Sequence, residues 1–318
     1  MKGKRRLFIL FTFIFVIFCI SEVYPYHKRA YSYTIKQKTE TVEQNKNKHT
    51  NPYDWVEGNK FIAHGLGGLE GTKRVTNSKE ALENSYKNGY RIVEVDFVIT
   101  TDGQLVARHD WKEYMFAFLG QHVSTNKLGK PLNLNEFKSL MIHKKYHPLT
   151  LEEIVRLMKI YPDLYLVTDT KSNSKDEVIK VFSNIVSTVN QIEPSVLERI
   201  IPQLYTIEMY DFINNIYPFK SYILTLYQGN ITNDEAIEFV KDKGIKVVTM
   251  PENLVNKVFI SRLRQNNVNV YVNTINDKFI YHHYQIMGVH GVYSDYLIPN
   301  EYRTDFLFPH EFETKINP

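Results

Sequence analysis

Ile92–Val93–Glu94–Val95–Asp96–Phe97 has the two-residue period of a β-strand, with Glu94 and Asp96 on one face and Val93, Val95 and Phe97 on the other. Short β-branched or apolar runs of the same kind recur on both sides of it. They span Lys60–His64, Arg91–Ile99, Leu164–Thr170, Ile200–Leu204, Ser221–Leu226, Lys246–Met250, Asn269–Thr274 and Gly291–Ser294. Between them lie stretches with helical spacing, near Lys79–Asn88, Leu151–Ile160, Lys175–Asn190, Ile207–Ile216, Asn233–Lys243, Leu254–Gln265 and Lys278–Met287. Parallel strands need crossover connections, and here the crossovers are helical. The economical architecture is therefore an α/β fold, a single-domain (β/α)₈ TIM barrel, with an open doubly wound sheet as the alternative. A body of about 260 residues suits one barrel, whose site would lie at the C-terminal ends of the strands.

With the apolar face of Arg91–Ile99 on the helices, Glu94 and Asp96 face the barrel interior. Two unpaired like charges there would cost several kcal/mol or be forced to protonate. A bound cation resolves this, and so would pairing with Arg91 or Lys171. The third run ends Val167–Thr168–Asp169–Thr170–Lys171, which adds Asp169 and a cationic group on one face. Carboxylate ligands without cysteine suit a hard divalent cation, Ca²⁺ or Mg²⁺, better than structural zinc. His64 closes the first strand before Gly65–Leu66–Gly67–Gly68, and His109 stands before Asp110, so both histidines can reach the same mouth. Two imidazoles beside a metal supply a base and an acid near neutral pH. The glycine loop is not a dinucleotide loop, because Glu70 stands where the last glycine of G-x-G-x-x-G belongs. His143 and His147 lack the intervening Glu of a zinc-protease helix, and His282 and His283 read as surface residues.

The chain has 318 residues, of which 43% are hydrophobic, so a disordered chain is excluded. Its net charge of +4 comes from the N-terminus: the first 50 residues hold ten basic and three acidic side chains, which leaves 29 against 32 in the remainder. An acidic body argues against a nucleic-acid partner. The single cysteine, Cys19, excludes a disulfide framework and a cysteine nucleophile in the body. Lys2, Lys4, Arg5 and Arg6 precede an apolar run from Leu7 to Ile20, the pattern of a signal peptide or a retained membrane anchor. Residues 1–23 are read as that segment, 24–55 as a polar flexible tether and 56–318 as the barrel. This organisation makes the body extracytoplasmic, either membrane-anchored or secreted.

Further motifs connect these positions: Ile62–Ala63–His64, Thr76–Asn77–Ser78, Thr100–Thr101–Asp102–Gly103, Val106 to Asp110, Pro148 to Glu153, Asn273–Thr274–Ile275–Asn276, and Gly288 to Asp295. With Glu94-x-Asp96 and Asp169–Thr170–Lys171, this order resembles the glycerophosphodiester phosphodiesterase family across about residues 60–298. The resemblance implies a TIM barrel of the phosphatidylinositol-phospholipase-C-like type that cleaves a phosphodiester to an alcohol and a phosphomonoester with a divalent metal. It implies acid–base roles for His64 and His109, and metal ligation by Glu94, Asp96 and Asp169. It also implies phosphate contact at Lys171 and a metal or phosphate role for Asn77. Three departures stand out: His64 is followed by Gly65 where the family has arginine, Asp169 replaces the common Glu, and Asn273 stands where many members have Trp. The backbone N–H groups of Gly67 or Gly68 are the expected substitutes for the arginine.

The expected activity is metal-dependent hydrolysis of a glycerophosphodiester or a related phospholipid head-group diester, small or lipid-derived. Alternatives are a phospholipase D-like or sphingomyelinase D-like lyase on the same barrel, or a catalytically inactive surface binding module.

Overall fold

The computed structural model describes residues 51–71 and 73–302. The expectations for residues 1–50, the signal or anchor and most of the tether, lie outside the described residues. The chain divides into a unit Met1–Asp54 and a unit Trp55–Pro318, and the barrel belongs to the second.

Its strands are β1 (Phe61–Ala63), β2 (Ile92–Ile99), β3 (Leu105–Ala107), β4 (Tyr165–Asp169), β5 (Ile200–Leu204), β6 (Ile223–Thr225), β7 (Val247–Pro251), β8 (Asn269–Asn273) and β9 (Gly291–Ser294). The order β1-β9-β8-β7-β6-β5-β4-β2, with β1 pairing back onto β2, closes eight parallel strands into a barrel. This is the (β/α)₈ barrel expected from the sequence. The expected strands are all present, each with ends within two residues of those expected or unchanged. β1 stops at Ala63 because Gly65, at φ 55°, turns the chain directly after it. The periodic reading missed β3, which pairs antiparallel with the end of β2 through Phe97↔Ala107. Three residues are too few to show a period. Two six-residue helices in the same region, Glu113–Phe118 and Leu134–Ser139, went unassigned for the same reason.

The seven expected helices form, among them Lys79–Lys87, Leu151–Ile160, Lys175–Ile192, Lys257–Gln265 and Lys278–Met287. Their starts are written in the sequence. The Ser78 hydroxyl accepts from the Ala81 N–H, and Thr150 with Glu153 and Thr232 with Glu235 form reciprocal capping boxes. Each such cap contributes about 1 kcal/mol.

The strand period divides the buried residues into two shells. Val93, Val95, Phe97, Leu166, Leu224, Val248 and Val270 join Leu82, Ile154, Phe182, Ile185, Ile260 and Leu263 of the helices in one continuous core. Each large side chain buried there contributes roughly 1.5–3 kcal/mol. The alternate positions, including Ile92, Val167, Ile201, Gln203, Val247, Tyr271 and Tyr293, fill the barrel and are also buried. Tyr293 Oη donates to Gln203 Oε1 at 3.0 Å, which satisfies two polar groups deep inside. Glu94 and Asp96 occupy this inner face near its C-terminal end.

Candidate active site

β2 and β4 are parallel neighbours, and Asp96 is the register partner of Asp169. Neighbouring strands lie about 4.8 Å apart, so the two carboxylates emerge side by side. Glu94 stands two residues earlier on β2 and reaches up with its extra methylene. One oxygen from each of the three acids lies within 4.8 Å of the others, and all three residues are buried.

Each acid is held differently. Glu94 Oε2 accepts the Gly65 N–H at 2.7 Å, whereas Oε1 is buried with no hydrogen-bond partner. Burial, and then the charge of Asp96, pushes its carboxyl up to about 8. Asp96 behaves in the opposite way: burial works hardest against ionisation, but the charges of Lys171, His109 and His64 together outweigh it and hold the carboxyl below its usual range. Asn77 braces the same residue twice, donating from Nδ2 to Asp96 Oδ2 at 2.7 Å and accepting the Asp96 N–H at 3.1 Å. Asp169 Oδ1 accepts the hydroxyl of Tyr205 and, at 3.1 Å, that of Tyr227.

Lys171 follows Asp169 by two residues, and its backbone turns at φ 55°. Its ammonium bonds both Asp96 and, at 2.9 Å, Asp169. The Thr170 and Lys171 N–H groups donate to Tyr205 Oη at 2.8 and 3.1 Å, which fixes the turn. Lys171 is therefore one of the two cations named as possible partners of the acids. The other, Arg91, pairs with Asp163 at 2.6 Å instead. One ammonium against three carboxylates leaves an excess of negative charge and an orphaned Glu94 Oε1. Those hard oxygen donors fit a divalent cation of the Ca²⁺ or Mg²⁺ type.

Both histidines stand at the same end of the barrel, each backed by an aspartate. His64 opens the turn after β1, and its Nδ1 lies 3.0 Å from Asp295 Oδ1. Asp295 is fixed in turn by Asn276, whose Nδ2 donates to Oδ2 at 2.7 Å and whose Oδ1 accepts the Asp295 N–H at 2.8 Å. Burial pulls the His64 pKa down, but the Asp295 bond and the charges of Glu94, Asp295 and Asp96 prevail and raise it to about 9. His109 follows β3, and its Nδ1 lies 2.8 Å from Asp110 Oδ2. Tyr114 donates to the same Asp110 oxygen, and the Arg108 N–H bonds the Asp96 carbonyl at 2.9 Å, tying this loop to β2.

The glycine loop corrects one expectation. Gly67 N–H donates to the His64 carbonyl at 2.8 Å and Gly68 N–H to the Asp295 carbonyl at 2.7 Å, so neither amide is free for a phosphate. These glycines serve close packing: a Cβ at Gly68 would lie 2.4 Å from the Tyr296 ring, and one at Gly67 would lie 2.0 Å from Ser85 Oγ. Asn77, expected at the metal or phosphate, acts through Asp96. His147 lies beside Glu80, while His282 and His283 are exposed.

Sequence reasoning assigned no role to Asp295, Asn276, Tyr205 or Tyr227. All four follow the C-terminal ends of barrel strands, the position that singled out Asp169, so that rule marks their positions but not their partners.

The sequence model of the glycerophosphoryl diester phosphodiesterase family matches residues 68–298. Solved structures with the same fold include a phosphodiesterase from Oleispira antarctica in complex with the product sn-glycerol-3-phosphate. It is 17% identical, with a TM-score of 0.63 over 81% of this chain and 99% of that one. A glycerophosphodiester phosphodiesterase from Parabacteroides distasonis is 18% identical, with a TM-score of 0.61 over 78% and 96%. Another from Thermotoga maritima is 17% identical, with a TM-score of 0.56 over 74% and 94%.

Proposed function

The chain belongs to the glycerophosphoryl diester phosphodiesterase family and is a phosphoric diester hydrolase; from that footing we propose that it hydrolyses a glycerophosphodiester, or a related diester derived from a phospholipid head group, with one divalent cation, Ca²⁺ or Mg²⁺. The observation that carries the reading is the trio Glu94, Asp96 and Asp169 at one barrel mouth with two histidines, each bonded through Nδ1 to an aspartate. The product held by the Oleispira relative, sn-glycerol-3-phosphate, supports glycerol phosphate as the product side here.

Glu94, Asp96 and Asp169 would hold the cation, which would supply Lewis acidity to offset charge on the phosphoryl oxygens. His109, oriented by Asp110, accepts the proton of the attacking water at Nε2 as the new P–O bond forms. His64, kept protonated by Asp295, delivers its proton to the leaving alkoxide as the old P–O bond breaks. Lys171 brings a second positive charge to the phosphoryl group. We place the reaction outside the cytoplasm, on the support of the basic and then apolar stretch Lys2–Ile20.

The test is to chelate the purified chain, titrate Ca²⁺ and Mg²⁺ back, and follow a panel of glycerophosphodiesters with His64→Ala and Glu94→Ala alongside. Hydrolysis restored by metal and abolished by both substitutions is the expected result. Turnover unaffected by chelation, or surviving Glu94→Ala, overturns it.

A further inference from the structure

The helices Lys257–Gln265 and Lys278–Met287 together hold four basic residues, Lys257, Arg262, Arg264 and Lys278, and no acidic one. This is a local reversal, because from residue 51 onward the chain has 29 basic and 32 acidic residues. The two helices lie side by side. Tyr284 of the second donates to Glu252, just ahead of the first, at 3.1 Å. At the other end, a Cβ on Gly288 would lie 2.7 Å from Arg264 Nη1 and 3.5 Å from Ile260 Cγ2.

Their outer face is apolar as well as basic. Val258 is 70% exposed, Phe279 74% and Ile286 70%; with Leu254 and Ile280 these make five of the nine large hydrophobic side chains left exposed among the described residues. Phe279 and Ile286 are seven residues apart and share one helix face. Arg262 is paired with Asp234 at 2.6 Å and Asp277 caps the second helix, which leaves Lys257, Arg264 and Lys278 as the cations around the apolar stripe, the pattern of a helix face that rests in a membrane interface. Neither Lys257 nor Lys278 is in an ion pair among the described residues; Lys278 instead lies 5.3 Å over the Phe279 ring.

Position in the fold gives this face its meaning. The two helices follow β7 and β8, so their first turns, with Val258, Phe279 and Ile280, stand at the C-terminal rim of the barrel. The loop that leads into the second helix carries Asn276, which fixes the His64 partner Asp295. We propose that this helix pair docks on an anionic lipid bilayer, its apolar side chains entering the acyl boundary and its lysines resting among the head groups. The rim residues Val258, Phe279 and Ile280 then bring one edge of the mouth to the bilayer surface, within reach of lipid-borne diesters. Charge complementarity selects the occupant.

The consequence for substrate rests on the proposed hydrolase reading; the docking itself does not. In full-length Cys19→Ser chain, a fluorophore is placed at Ser261→Cys on the proposed face, or at Ser187→Cys on the helix after β4, across the barrel; both serines are exposed. Each chain is reconstituted into phosphatidylcholine–phosphatidylglycerol vesicles containing brominated lipid. The expected result is quenching of the Ser261 probe by at least twofold with no change at Ser187, and loss of that quenching in Phe279→Ser/Ile286→Ser, which stays in the vesicles. Equal quenching at both probes, or none at either, overturns the proposal. So does a Ser261 signal that follows protein concentration without vesicles, which assigns the face to a second copy of the chain. Hydrolysis of a soluble glycerophosphodiester is measured in parallel: quenching without turnover leaves the docking standing and removes the hydrolase reading, whereas turnover without quenching does the reverse.

Discussion

His64 and Asp295 meet through Nδ1 and Oδ1 at 3.0 Å, across the seam where the last barrel strand pairs with the first. Their meeting follows from register. Ala63 of β1 is the partner of Ser294 of β9, so the next residue on each strand emerges beside the other at the mouth. A pair built by adjacent strand ends is rigid, and Asn276 locks the carboxylate from the loop after β8.

Asp295→Asn tests what the pair does. Burial lowers the His64 pKa and the Asp295 bond leads the forces that raise it to about 9. A charge-assisted hydrogen bond is worth about 1.5–3 kcal/mol and one pK unit about 1.4, so removing the charge should lower the pKa by roughly one to two units. A proton donor works below its own pKa. The alkaline limb of the pH–rate profile should therefore move to lower pH by that amount at saturating cation, and an unmoved limb removes His64 as the acid.

Glu94→Gln should stabilise the metal-free chain while it destroys the site. The Glu94 carboxyl is pushed up to about 8 by burial and then by Asp96, and its Oε1 has no partner. Between an unfolded pKa near 4.5 and the folded value, the native state binds the extra proton. Stability of the parent must then fall as pH rises through that window and level off above it. The Gln variant keeps an acceptor for the Gly65 N–H and has no charge to strain. Denaturant melts without metal should show it more stable at pH 8 by roughly 2–4 kcal/mol, equal to the parent near pH 4.5, and blind to Ca²⁺ or Mg²⁺. A variant that melts like the parent at pH 8 means the carboxylate is not under this stress.

Lys171→Met separates the structural use of the ammonium from its use in turnover. Lys171 bonds Asp96, whose side chain is 1% exposed, and Asp169, whose side chain is 12% exposed. Its loss leaves buried like charges unpaired, at a cost of roughly 3–5 kcal/mol. A divalent cation on the same carboxylates should restore most of that. The rise in Tm on adding metal is therefore expected to be larger in Lys171→Met than in the parent, with kcat still reduced. Equal metal-induced rises would mean that the ammonium and the cation do not share these ligands.

The acids and histidines were legible because barrel geometry makes strand ends and strand faces readable: Glu94-x-Asp96 on one strand, Asp169 on the next, and His64 at the end of another. Asp295 and Asn276 lie at strand ends too, but nothing local marks an aspartate that orients a histidine 231 residues away. That relation comes from closing the sheet. Tyr205 was hidden for another reason, because its buried hydroxyl serves Asp169 and the Thr170 and Lys171 amides at once, while in sequence it is one tyrosine among 22. The glycine loop shows the reverse error: its composition suggested open amides, and the fold uses those amides to fasten its own strand ends.

Gly68→Ala distinguishes these two uses of the loop. Gly68 donates its N–H to the Asp295 carbonyl at 2.7 Å, and an added Cβ would lie 2.5 Å from that oxygen and 2.4 Å from the Tyr296 ring. Neither neighbour is the free end of a flexible chain, so the methyl must push the β9 end, and Asp295 with it, away from His64. Misplacing a catalytic group by about 1 Å costs up to a hundredfold, so kcat should fall roughly ten- to hundredfold. The alkaline limb should shift in the same direction as in Asp295→Asn, while KM changes by less than about twofold, since no substrate contact is lost. If the glycine amide instead held the phosphate, the methyl would raise KM and leave the pH profile where it was. The two kinetic signatures do not overlap, and the same pH–rate series that examines Asp295 reads both.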